Sequence, residues 1–148
     1  MIVTVVGNYP RTILDPGGAS LRRSWTQHDR GQIDEQGLHA AQDEFTLEIL
    51  KEQAEAGLDV VTDGQARWDD GQTYWARGLV GFTINGLIRQ FDTNTYYRQP
   101  VLDSAVQWRQ PISLMDHRFA VENSNLPVKA TITGPYTLAK LSVDAHYG

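Results

Sequence analysis

The stretch Gly57-Leu58-Asp59-Val60-Val61-Thr62-Asp63-Gly64-Gln65 constrains the fold more than any other part of the chain. A glycine suited to ending a helix leads directly into a short β-branched run. That run ends on a polar, glycine-containing bend. A strand entered so abruptly, and apolar enough to be buried on both faces, belongs to a parallel sheet. Polar bends at the carboxyl ends of such strands are where α/β proteins keep their chemistry. Two more bends of this kind follow apolar runs. They are Gly7-Asn8-Tyr9-Pro10-Arg11 after residues 2–6, and Thr133-Gly134-Pro135-Tyr136-Thr137 after residues 128–132. Three such ends predict one face with one site.

Between the first two runs, Leu38, Ala41, Phe45, Ile49, Leu50 and Ala54 form one apolar stripe. Asp43, Glu44, Lys51, Glu52 and Glu55 lie outside it, which predicts an amphipathic helix with a solvated acidic face. Gly57 fits the position just past its end. Residues 10–32, rich in Pro, Gly, Arg, Ser and Asp without a period, read as a long loop over a strand end. Residues 78–111 break the rhythm. Asn85-Gly86 sits between apolar alternations there and predicts a β-hairpin, because both residues accept positive φ. Residues 113–122 read as a helix, ended by Asn125-Leu126-Pro127. Pro135 suits the first turn of another helix, which is still running where the sequence ends.

The alternation predicts an α/β fold with right-handed crossovers. At 148 residues the chain is too short for a complete eightfold barrel, which uses about 250. Three strands close no barrel. Residues 1–148 therefore read as a single incomplete domain, completed by further sequence or by a partner chain. A net charge of −5 argues against nucleic acid as a partner. No run approaches the ~20 apolar residues of a membrane span. The start, Met1-Ile2-Val3-Thr4, lacks the pattern of a secretory leader. With no cysteine, the chain offers no disulfide and no thiolate metal ligand, consistent with a cytoplasmic setting. The four histidines, at 28, 39, 117 and 146, show no metal-ligand spacing.

The order of these segments resembles the catalytic domain of cobalamin-independent methionine synthase. The stretches that carry the resemblance are Val5-Val6-Gly7-Asn8-Tyr9-Pro10-Arg11, then Glu55 through Gln65, then Asp70 with Tyr74 and Trp75. Gly81-Phe82, Tyr96-Tyr97-Arg98-Gln99-Pro100-Val101 and Val128 through Leu138 follow at matching spacing, and Asp144-His146-Tyr147 resembles the family's continuation into its third helix. The resemblance implies a (β/α)8 TIM-barrel type, with only about the first three β/α units present plus a β-hairpin insertion.

It also implies zinc-dependent methyl transfer to a thiol, homocysteine or a related one, from a folate or a corrinoid. Metal coordination favours the reactive thiolate over the thiol. The zinc ligands of that family lie in the half of the barrel absent here, so no metal site is expected in this chain. Substrate contacts are expected instead at Gly7, Asn8 (usually Ser) and Gln65, which stands where a Glu pairs with the substrate ammonium. Asp63 shares the bend with Gln65. The family's following Arg is replaced by Trp68 with Arg67 beside it, and its folate-contacting Trp by Leu141. Tyr96, Tyr97 and Arg98 either line a pocket for a flat donor or pack the hairpin. Asp70 holds either Arg67 or a neighbouring segment. Two alternatives stay open: alkyl transfer to a thiol cofactor without an ammonium group, and a non-catalytic half-barrel that binds a small molecule or self-associates.

Overall fold

The computed structural model describes residues 1–11 and 16–148. Its elements in chain order are α1 (Pro16–Asp29), α2 (Glu35–Glu55), α3 (Thr73–Arg77), β1 (Val80–Arg89), β2 (Tyr96–Gln107), α4 (Leu114–Glu122), α5 (Pro135–Lys140) and β3 (Val143–Asp144). They form two compact units. One comprises Met1–Arg67 and Asp116–Thr131; the other comprises Trp68–Met115 and Ile132–Gly148.

In the first unit the three apolar runs lie side by side and parallel. Thr4 bridges Val60, and Val61 bridges Val128. Val61 N donates to Pro127 O at 3.0 Å and Lys129 N to Val61 O at 2.8 Å. The helix α2 covers them. Its start is capped by Asp34, whose Oδ1 accepts the Gly37 N–H at 2.8 Å, a contact worth about 1 kcal/mol. Just past its end Gly57 takes φ +79°, the left-handed conformation a helix-ending glycine supplies. Leu21, Phe45, Ile49 and Ala66 form one core cluster, and Leu50, Val61 and Ala120 another. Each large apolar side chain so buried contributes about 1.5–3 kcal/mol.

Two expectations change here. Ala54, assigned to the apolar stripe, is exposed, while Gln42, Thr46 and Gln53 are buried. Much of the stretch expected as a long loop is α1. Its Leu21 is 1% exposed against Phe45 and Ile49, with Trp25 packed beside them. Tertiary burial overrides the low helix propensity of Gly17 and Gly18. The rest of the loop expectation, at residues 12–15, lies outside the described residues.

In the second unit the expected hairpin forms, β1 antiparallel to β2, but it does not turn at Asn85-Gly86. The strand runs through them. Ile84 pairs with Pro100 and Leu87 with Arg98, so one extra residue is accommodated as a bulge, where Asn85 Oδ1 accepts the Gly86 N–H at 2.8 Å. The turn comes at residues 90–95, closed by Gln90 N donating to Thr95 O at 2.8 Å. Keeping Leu87 and Ile88 in the ladder extends the pairing beyond what a turn at Asn-Gly allows. The last helix also differs from expectation. Pro135 does sit in its first turn, but α5 ends at Lys140, and Val143–Asp144 pairs in parallel with β2.

Candidate functional site

In the first unit the carboxyl ends of the first two parallel runs are tied together by the Thr62 hydroxyl and by backbone. Thr62 Oγ1 donates to Gly7 O at 3.2 Å and accepts from Gly64 N at 3.2 Å. Tyr9 N donates to Gly64 O at 3.0 Å. A Cβ added to Gly7 would meet Thr131 Oγ1 at 2.6 Å, so only glycine lets the first and third runs approach this closely. That Thr131 hydroxyl is buried and has no partner among the described residues. The first two strand ends and Thr131 therefore converge. Gly7, Asp63 and Gln65 are brought together, and Asn8 stands exposed beside them.

The bend is held from below by Gln53, whose amide donates to Thr62 O at 2.8 Å and Ile49 O at 3.2 Å while its Oε1 accepts the Thr62 N–H at 3.0 Å. Gly64 and Gln65 both take left-handed backbone, φ +64° and +56°. Asp63 Oδ1 accepts the Gln65 N–H at 3.1 Å. Burial pushes the Asp63 carboxyl above its ordinary value. The Gln65 N–H and the charges of His117 and Arg67 pull it partly back.

That shift has a consequence for stability. A carboxyl raised by folding binds its proton more tightly in the folded chain. Its contribution is complete below the unfolded value of 3.8 and is lost as pH rises through the folded one. Asp63→Asn keeps an oxygen for the Gln65 N–H and has no proton to lose. We expect its stability relative to the wild type to increase from pH 3.5 towards neutrality, read from urea midpoints at successive pH values. A difference independent of pH would show that Asp63 is not destabilised by burial.

The acidic face of α2 is not merely solvated. Asp43 pairs with Arg67 Nη2, and Arg67 Nε donates to Asp116 Oδ1 of α4 at 3.2 Å. Pairing partners 24 and 49 positions away leave no periodic trace in the sequence.

In the second unit Asp70 takes the second of its two expected roles and holds a neighbouring segment. Its Oδ1 accepts from Gln72 N at 2.9 Å and Thr73 N at 2.7 Å, and its Oδ2 from Arg98 N at 3.0 Å. Tyr97 is buried, and its hydroxyl donates to Leu141 O at 3.0 Å. Burial, then the charge of Asp70, raises its phenol above the ordinary value. Tyr96 is exposed, with the Arg89 guanidinium 5.8 Å from its ring centre. Arg98 is half-buried beside them. Trp68 stacks on Tyr74 at 4.9 Å, and Trp75 stands edge-on to both.

Among the described residues no group of three or more His, Cys, Asp or Glu side chains is placed to hold a metal ion. With no cysteine in the chain either, the described residues do not fit a zinc site. No described helix is long and apolar enough to cross a membrane.

Parallel runs covered by a helix, with a strained polar bend at their carboxyl ends, define an α/β protein of the class that builds sites on strand ends. Comparison with known proteins gives the family. The chain belongs to the cobalamin-independent synthase catalytic-domain family, whose model matches residues 1–145. It is 37% identical over 145 residues to a methionine synthase of Sulfurisphaera tokodaii, covering 97% of this chain and 41% of that protein. The methionine synthase of Saccharolobus solfataricus is 34% identical, with 97% and 42% covered. The chain thus spans about two fifths of the length of these relatives. Two solved structures share the fold. A B12-independent methionine synthase from Shewanella sp. W3-18-1, in complex with selenomethionine, gives a TM-score of 0.69 at 21% identity, over 78% of this chain and 34% of that one. A putative vitamin-B12 independent methionine synthase from Listeria monocytogenes gives 0.72 at 18% identity, over 99% and 41%.

Proposed function

We propose that this chain supplies the thiol-binding part of a (β/α)8 methyltransferase, contributing about its first three β/α units and a hairpin insertion. The reaction is methyl transfer to homocysteine or a related thiol, in the cytoplasm, from a folate or corrinoid donor. The carrying observation is the bend at Asp63-Gly64-Gln65, tied to Gly7 at one strand end by the Thr62 hydroxyl. Gly7, Asn8, Asp63 and Gln65 contact the thiol substrate. Tyr96, Tyr97 and Arg98 belong to the donor side, with Tyr97 serving mainly to fix the hairpin. No donor set for zinc is placed among the described residues, and the metal is held by other polypeptide. Ile2 and Val6, 77% and 91% exposed on the first parallel run, support completion of the fold by further sequence or a partner chain.

Gln65 is neutral where the resemblance implies a carboxylate facing an ammonium group. A charge-assisted bond is roughly twice as strong as a neutral one. That favours a second reading, transfer to a thiol without an ammonium group. Calorimetric titration with L-homocysteine and with 4-mercaptobutyrate, its ammonium-free counterpart, separates the two. Gln65→Glu is expected to shift the ratio of the two affinities about tenfold towards homocysteine, the equivalent of ~1.4 kcal/mol. An unchanged ratio would remove Gln65 from the ammonium site, and binding of neither compound would overturn the proposed function.

A further inference from the structure

We propose that Arg67 is a positioning residue, clamped between two helices so that it fixes the Asp63-Gly64-Gln65 bend from its downstream side. The inference rests on reading that bend as the thiol site. Gln65 has a Cβ and yet sits at φ +56°, directly after Gly64 at φ +64°. Such backbone persists only where its surroundings over-determine it. Three hydrogen bonds do so: Gly64 N donates to Thr62 Oγ1, Tyr9 N to Gly64 O, and Gln65 N to Asp63 Oδ1. Downstream, the bend is anchored by Ala66, 1% exposed in the core, and by Arg67.

The Arg67 side chain is itself 16% exposed. Its Nη2 meets Asp43 on α2, its Nε meets Asp116 on α4 at 3.2 Å, and its guanidinium carbon lies 5.2 Å from the Phe119 ring centre. One planar cation thus joins two helices to the backbone two residues past the bend. Lysine carries the same charge but cannot reproduce a fork that engages two carboxylates while lying over a ring. The Arg67 side chain is committed to these partners, so its effect on substrate passes through the shape of the bend.

The test uses the whole chain carrying Arg67→Lys, with Asp116→Asn as a second variant should the first fail to fold. Amide hydrogen exchange is followed residue by residue. The Gly64 and Gln65 amides are expected to exchange about tenfold faster than in the wild type, while interior amides of α2 stay within about twofold. Uniform acceleration would mean that Arg67 only stabilises the unit, and unchanged bend amides would mean that it does nothing there; either overturns the proposal. A double-mutant cycle with Gln65→Ala then reads L-homocysteine affinity. Arg67→Lys alone is expected to weaken binding about tenfold, and Gln65→Ala to add little in that background but much in the wild type. Additive effects would sever Arg67 from Gln65. Should the wild type bind neither L-homocysteine nor 4-mercaptobutyrate, the thiol-site reading falls, and the exchange measurement still decides whether Arg67 fixes the bend.

Discussion

Gly64→Ala is expected to destabilise the first unit by about 2–5 kcal/mol, combining a left-handed backbone penalty of roughly 1–2 with overpacking of roughly 1–3. The residue sits at φ +64°. A methyl group there would lie 2.6 Å from Ile49 Cδ1 and 2.9 Å from Tyr9 Cβ. Ile49 is fully buried in the core and cannot swing aside. The two causes can be separated, because Ile49→Val deletes the Cδ1 methyl that makes the nearest clash. The double variant Gly64→Ala with Ile49→Val is therefore expected to be more stable than the sum of the single losses, by on the order of 1 kcal/mol. Urea unfolding of the four proteins measures it. Strict additivity would mean that the Ile49 Cδ1 contact contributes nothing to the loss.

Gln53→Leu should cost about 1–4 kcal/mol, although it exchanges a polar side chain for an apolar one of similar size inside the protein. The Gln53 amide serves both the N–H and the carbonyl of Thr62. Thr62 is fully buried, so no bulk solvent replaces those bonds. Two orphaned backbone groups at about 1–3 kcal/mol each outweigh the gain from burying leucine. The loss is also expected to reach the strand ends, because the same Thr62 carries the hydroxyl that joins Gly7 to Gly64. Urea unfolding monitored by circular dichroism gives the magnitude, and a loss below about 1 kcal/mol would mean that Thr62 finds other partners.

Local rules exposed α2 and the bend after it. The spacing of Leu38, Phe45 and Ile49 has helical periodicity, and Gly57 marks its end by a conformation that few other residues take. The β-branched run at 58–62 and its parallel neighbours followed for similar reasons. What stayed hidden depends on distance along the chain. Gln53 and Asp43 look like ordinary polar positions of a helix, and only the fold brings them to Thr62 and Arg67. The helix α1 is masked by Gly17, Gly18 and two consecutive arginines, because its formation depends on burying Leu21 rather than on propensity. Asn85-Gly86 misled for another reason. A dipeptide that permits a tight turn does not compel one, and here the ladder continues past it through a bulge. The strand β3 pairs through only Val143 and Asp144, too few positions for any alternation to register.

The chain's four tryptophans are divided so that each unit carries its own optical label. Trp25 is the sole indole of the first unit and lies against Leu21 and Phe45, so its emission reports whether α1 stays docked on α2. Trp68 and Trp75 meet edge to face at 5.6 Å in the second unit, close enough for their excited states to couple and give a paired signal in the near ultraviolet. Melting followed by fluorescence in a variant that keeps Trp25 alone, and in parallel by near-ultraviolet dichroism of the Trp68–Trp75 pair in the wild type, would reveal whether the units lose order together or in sequence.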